Sequence, residues 1–236
     1  MKRMTFALLG LCIVVPAHSQ SLNPSPYEWR DQGIEIADKD VVQGTFRVAL
    51  LTGQDVPKVS FQGPAEMIAD AEASVENGTL IIAFKDGKPW SSHPGSRMSA
   101  VVYLPSVSSV KTIGPAQINI PWNKAESFSA AIDGAGRIEV ERLEAQNVNA
   151  AIGGSGSIRL EGTANEASYA IGGAGSIEGK RLRVADAKIA IGGAGSVYAD
   201  VSNTADVAVG GGGRVEIVGG ARCNVQPVAS PRVECR

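Results

Sequence analysis

The chain has 236 residues, 44% hydrophobic and 19% charged, with a formal net charge of −2. That apolar content fills a core and excludes a disordered chain, while the near-neutral charge excludes the basic stripe a nucleic-acid binder presents to phosphates. With only two histidines in the sequence, a histidine-rich metal site is hard to build.

The chain opens with Lys2 and Arg3, then an apolar run from Thr5 to Val15, then the small residues around Ala17-His18-Ser19. This order reads as a secretory signal peptide over residues 1–19, cleaved near Ser19 and too short to remain as a membrane anchor. Cys12 follows the bulky Leu11, which argues against lipid attachment there. The expectation is an exported protein, periplasmic or at the cell surface, with no transmembrane segment in the mature chain. Residues 20–32 read as a linker.

Strands are predicted over Thr45–Leu51, Val56–Phe61, Thr79–Phe84 and Met98–Leu104, with a hairpin turn at Asn77-Gly78. Pro64–Ala71 reads as a short helix with proline in its first position. Trp90, His93 and Pro94 fall in a polar loop from Lys85 to Arg97. This half reads either as the first coils and cap of one solenoid or as a small separate β layer. Continuity is favoured because Ser106–Ile120 already resembles the repeats that follow.

Five segments then align without gaps, beginning at Ala131, Ala151, Ala170, Ala190 and Ala208, with spacings of 20, 19, 20 and 18 residues. Their common form is Ala-Ile/Val-x-Gly-x-Gly-x-Ile/Val, and a degraded copy is read from Thr112. Proline is absent from Asn123 through Gln226, as a buried ladder requires. Identical residues at each repeat suit stacked coils, in which equivalent side chains form columns at about 4.8 Å spacing.

The second motif position (Ile132, Ile152, Ile171, Ile191, Val209) and the eighth (Ile138, Ile158, Ile177, Val197, Val215) share a parity and should point inward. The fourth and sixth are glycine in every copy, which suits a narrow interior or a corner with positive φ. The ninth (Glu139, Arg159, Glu178, Tyr198, Glu216) should point outward and alternate in sign along much of its length. Glu139, Arg159, Glu178 and Tyr198 are the candidate binding face.

The Gly-x-Gly-x-Ile/Val repeats from Gly134 to Val215, the hairpin Val75-Glu-Asn-Gly-Thr-Leu-Ile-Ile and the strand Val101-Val-Tyr-Leu-Pro-Ser-Val occur in an order that resembles a known family. It is the auto-transporter adhesin head, or GIN, domain family of exported bacterial proteins. The resemblance covers roughly Gly33 to Val218. It implies a right-handed β-helical head at the envelope or surface. No catalytic residues are assigned in that family, so none carries over. Many members have Asp where this chain has Arg137, Ser157, Ser176, Ser196 and Arg214, so no cation role carries over either.

Calcium-binding coils need a carboxylate where this chain has Ile158, Ile177 and Val197, and a dinucleotide loop needs a helix where more strand follows. Hydrolysis of a polysaccharide needs two carboxylates facing one cleft. The candidates Asp186, Asp200 and Asp206, or Glu139 with Glu161, are scattered at outward or loop-like positions, and nothing in the sequence pairs with His93. Trp29, Trp90 and Trp122 suit either sugar stacking or packing at the cap. In an exported chain Cys223 and Cys235 form an even pair, so a disulfide between them is expected.

The reading is an all-β, single-domain right-handed parallel β-helix with 18–20-residue coils and a less regular N-terminal cap. Its expected divisions are the signal peptide, the linker, a head at 33–218 and a disulfide-stapled tail at 219–236. The expected function is non-catalytic binding, without cofactor or metal, to an envelope protein or polysaccharide; the alternative is a carbohydrate-active β-helix enzyme.

Overall fold

The computed structural model describes residues 18–22, 33–37, 47–54, 58–76, 79–84, 98–226 and 232–236. In chain order the elements are β1 (His18–Leu22), β2 (Gly33–Ala37), β3 (Arg47–Leu51), β4 (Lys58–Gly63), α1 (Ala65–Asp70), β5 (Ala71–Glu76) and β6 (Thr79–Phe84). They continue with β7 (Ser99–Tyr103), β8 (Ser109–Ile113), β9 (Gln117–Ile120), β10 (Asn123–Asp133), β11 (Arg137–Ile152), β12 (Ser157–Thr163) and β13 (Glu166–Ile171). The last are β14 (Ser176–Ile191), β15 (Ser196–Val209), β16 (Arg214–Val218), β17 (Arg222–Gln226) and β18 (Val233–Cys235). Trp29, the Asn77-Gly78 turn, and Trp90 and His93 of the 85–97 loop lie outside the described residues.

The repeats fold as a β-solenoid whose coils pair in parallel. Ile132 stands opposite Ile152, then Ile171, Ile191 and Val209, all buried, as the shared parity predicts. Ile138, Ile158, Ile177, Val197 and Val215 form a second buried column on a neighbouring face. A third inward line runs through Ala130, Ala150, Tyr169, Ile189 and Val207. The Tyr169 ring is accommodated because Gly179 stands across the interior: a Cβ there would lie 2.9 Å from the Tyr169 hydroxyl.

The glycine columns arise from close approach between coils rather than from corner geometry. Among the ten motif glycines only Gly134 has positive φ. At the fourth position a Cβ on Gly154, Gly173, Gly193 or Gly211 would overlap the carbonyl of the glycine one coil before. At the sixth, Ile132 Cγ2 would lie 2.6 Å from a Cβ on Gly156, and Ile152 Cγ2 at the same distance from one on Gly175. Each inward isoleucine therefore fills the notch of a glycine on the next coil. The exposed third position is different: a Cβ on Gly153 or Gly172 meets nothing nearer than 3.6 Å, and Asp133 occupies the same motif position.

The degraded copy begins one residue earlier than the sequence predicts. Ile118 pairs with Ile138 and Thr112 with Ile132, so the copy starts at Lys111. Thr112 thus enters an aliphatic column, fully buried, and its hydroxyl has no hydrogen-bond partner. Asn123, the other buried polar residue described, is satisfied: it donates to the Val107 carbonyl at 2.8 Å and accepts from the Val107 N–H at 3.0 Å.

The N-terminal strands join the same ladders, but out of chain order. β2 lies between β6 and β8, and β3 between β7 and β9, all parallel. The coil made first is therefore interior, and the later β6–β7 coil lies outside it. Antiparallel strands continue the sheet at that end: β5 on β6, β4 on β7 and β1 on β4. Residues 20–22 of the expected linker belong to β1. α1 is a single turn that buries Met67 and Ile68 and lies against β1 and β4. Pro64 is its N-cap rather than its first helical residue.

At the other end the expected tail enters the ladders. β17 pairs with β15 and β18 with β16, adding a further coil. The Cys223–Cys235 disulfide ties these two strands, with Cα atoms 6.6 Å apart.

Candidate functional site

The coils match residue for residue except at two places. At the first, β11 carries Glu141 and Arg142 between Val140 and Leu143, where β12 carries only Glu161 between Leu160 and Gly162. β14 carries Lys180, Arg181 and Leu182 between Gly179 and Arg183, where β15 passes directly from Ala199 to Asp200. At the second, β15 gains one residue near Ser202-Asn203. The unequal spacings of the sequence repeats are absorbed here, and at the first place the inserted side chains are mostly charged.

That corner borders the ninth-position column. Glu139, Arg159, Glu178, Tyr198 and Glu216 stand opposite one another on successive coils and face outward, as their parity predicts. Arg159 donates from Nε and Nη2 to Glu178 Oε2 at 3.0 and 2.8 Å, and its Nη1 lies 3.8 Å from Glu139. The hydrogen bond to Glu178, reinforced by that carboxylate's charge, raises the Arg159 pKa above its ordinary value. Arg181 pairs with Glu161 at 3.0 Å. Lys180 reaches across the Tyr198 ring, 5.0 Å from its centroid, to donate to Glu216 Oε1 at 2.9 Å. That hydrogen bond holds the Glu216 carboxyl below the usual glutamate value.

Between column and corner lies an open recess of about 490 Å³, lined by Arg159, Glu161, Glu178, Lys180, Arg181 and Tyr198, with Leu160 among its lining residues. Arg159, Glu178 and Tyr198 come together here; Glu139 flanks the recess through its pair with Arg159. The sequence places Glu216 in the column, though outside the four-residue candidate face, and its parity gives no sign that Lys180 and Arg181 join that surface. The signal for them is the unequal spacing of the repeats, since insertions in a repeat protein collect on one face, often the binding face.

Most of the carboxylates considered for hydrolysis are engaged by neighbouring side chains. Asp186 accepts hydrogen bonds from Asn203, at 2.8 Å, and from Thr204; Asp206 accepts from Asn224 at 3.2 Å. Glu139 and Glu161 are paired with arginines on another part of the coil. Asp200 lies beside Gly219. Among the described residues no three His, Cys, Asp or Glu side chains are grouped to hold a metal, and no helix is long and apolar enough to cross a membrane. Trp122 lies at the cap end, where its carbonyl accepts from the Thr52 hydroxyl.

Residues 38–221 match the family model described as "Putative auto-transporter adhesin, head GIN domain". No curated protein matches the chain. Among solved structures, a putative adhesin from Bacteroides fragilis superposes with a TM-score of 0.74 at 18% identity, covering 93% of this chain and 92% of that one. A putative lipid binding protein from Parabacteroides distasonis gives 0.66 at 16% identity, covering 93% and 94%. A putative adhesin from Parabacteroides merdae gives 0.65 at 16%, covering 93% of each chain. At these identities the likeness is one of fold.

Proposed function

The chain belongs to the auto-transporter adhesin head GIN domain family, and from that premise we propose that it is a non-catalytic, exported module that binds an envelope protein or polysaccharide. The face it uses is the Glu139–Arg159–Glu178–Tyr198 column with the adjoining corner. The observation that carries this reading is the concentration of coil-length differences and charged insertions beside one column of a regular stack.

Export is supported by the basic and apolar start of the sequence and by a disulfide, which persists in oxidising compartments. The non-catalytic role is supported by the carboxylates themselves. Glu139, Glu161 and Glu178 are neutralised by arginines rather than aimed as an acid and a base across a cleft. The test is retention on isolated cell envelope. The native chain should sediment with the envelope and Arg159→Glu should not, with both melting alike. Equal retention of the two would remove this face from the reading. Sustained release of reducing ends from envelope polysaccharide by the pure protein would refute the non-catalytic role.

A further inference from the structure

Three properties of the recess bear on what it would hold. First, its charge is compensated in place: Arg159 on Glu178 and Glu139, Arg181 on Glu161, Lys180 on Glu216. A polyanion would meet these carboxylates and a polycation these cations, and like charges brought together oppose binding. Second, the pairs hold polar groups in place without exhausting them. A guanidinium has five N–H donors, of which Arg159 commits two to Glu178. A hydroxyl both donates and accepts, so it can use an Arg–Glu pair from either side. Third, a hydroxyl row runs along the solenoid axis beside the recess. Ser157, Ser176 and Ser196 stand opposite one another in a half-buried outward row two residues from Arg159, Glu178 and Tyr198. Successive coils repeat these contacts at about 4.8 Å, a step close to the advance per ring of an extended β-1,4-linked sugar chain.

Resting on the binding role proposed above, we infer that the ligand of this face is an uncharged, extended polysaccharide lying along the solenoid axis across β12, β14 and β15. Its hydroxyls meet the Arg159–Glu178 and Arg181–Glu161 pairs and the serine row. One ring lies at the edge of Tyr198, beside the Lys180 ammonium. Because the charged side chains are already held by one another, little side-chain freedom is lost on binding.

The test is calorimetric titration of the full chain with β-1,4-linked glucose and N-acetylglucosamine oligomers of increasing length, beside oligogalacturonate and oligolysine. Affinity for the neutral oligomers should rise about tenfold from dimer to tetramer, as all three coils are spanned, and then level off, and Arg159→Glu or Tyr198→Ala should lower tetramer affinity at least about tenfold. Lys188→Glu, on another face, should leave it unchanged, and Arg159→Gln serves if Arg159→Glu lowers the melting temperature. The inference is overturned if no neutral oligomer binds, if affinity is independent of length, if neither substitution matters, or if the acidic or basic oligomer binds more tightly. The envelope assay separates the two claims. Loss of retention in Arg159→Glu without binding of neutral oligomers removes the polysaccharide and leaves the face; unchanged retention removes both.

Discussion

Two adjacent glycines of one repeat should respond oppositely to the same methyl group. Gly172 and Gly173 both occur in the Ala-Ile-Gly-Gly turn, and neither has positive φ. A Cβ at Gly172 meets only the Ile152 carbonyl oxygen at 3.9 Å, so Gly172→Ala restricts the unfolded chain without strain and should be neutral or stabilising by up to about 1 kcal/mol. A Cβ at Gly173 would overlap the Gly154 carbonyl oxygen and stand 2.7 Å from that of Gly153. Restoring an ordinary C···O contact of about 3.3 Å requires the coils to part by about 1 Å. Gly172 N–H donates to Ile152 O at 2.9 Å and Ala174 N–H to Gly154 O at 3.0 Å, so parting stretches the two hydrogen bonds that flank Gly173 on that side of the coil. Overpacking costs about 1–3 kcal/mol and each weakened bond up to about 1 kcal/mol, giving a loss of about 1–5 kcal/mol for Gly173→Ala. Urea unfolding followed by far-ultraviolet circular dichroism reads both substitutions on one scale. If Gly173→Ala falls within about 0.5 kcal/mol of Gly172→Ala, inter-coil approach is not the reason for the fourth-position glycines.

Other consequences are separate. Ile171→Ala removes the side chain whose Cγ2 would lie 2.5 Å from a Cβ on Gly195, and denaturant unfolding should show a loss of about 2–5 kcal/mol. Tyr169→Phe and Thr112→Val delete buried hydroxyls that have no partner, so each should leave stability unchanged or raise it by about 1 kcal/mol in the same assay. Reducing Cys223–Cys235, a bridge across a sequence separation of 12, should lower stability by about 3 kcal/mol, read by thermal melts with and without reductant. The Glu216 carboxyl, held down by Lys180, keeps its charge and its link as pH falls through the ordinary glutamate range and loses both only below it. A carbon-detected NMR titration should show that depressed value, and Lys180→Met should raise it.

The repeated half of the fold was legible because column membership depends on parity and spacing, both explicit in the string. Ile132 and Ile138 are six residues apart and face inward together, and the next copies repeat this. The degraded copy misled because Ile113 and Ile118 are only five apart. Alignment on Ile113 and Gly114 shifts the start by one, whereas packing aligns Ile118 and admits Thr112 to the column. The outward column was legible, but the reach of Lys180 past Tyr198 to Glu216, two coils on, was not. Side-chain length and the recess decide that contact, and neither has a period. The interleaving of β2 and β3 left no trace either: alternation marks a strand without naming its partner.

That interleaving makes the two ends of the chain unequal in a way ordinary solenoids are not. Removing a terminal coil from a stack normally costs one interface and leaves the rest folded. Truncation after Val218 should behave so: it removes β17 and β18, which pair only with β15 and β16, together with the disulfide. Truncation before Thr52 removes the coil first in sequence but interior in space. It takes away the partners of β6 and β8 on one face and of β7 and β9 on the other, and with β3 the buried Val48 and Leu50. The β6–β7 coil is then separated from the stack by a vacant layer about 4.8 Å thick. The connection Leu104–Ser108 was built to span that layer. Hydrogen exchange should show β6 and β7 unprotected in the N-terminal truncation and β8 and β9 reduced to an edge still paired with β10 and β11, while β11–β15 stay protected in both. Protection of β6–β9 equal to that in the full chain would mean that β8–β9 can close directly on β6–β7. The interior position of the first coil would then be an accident of order rather than a requirement of the fold.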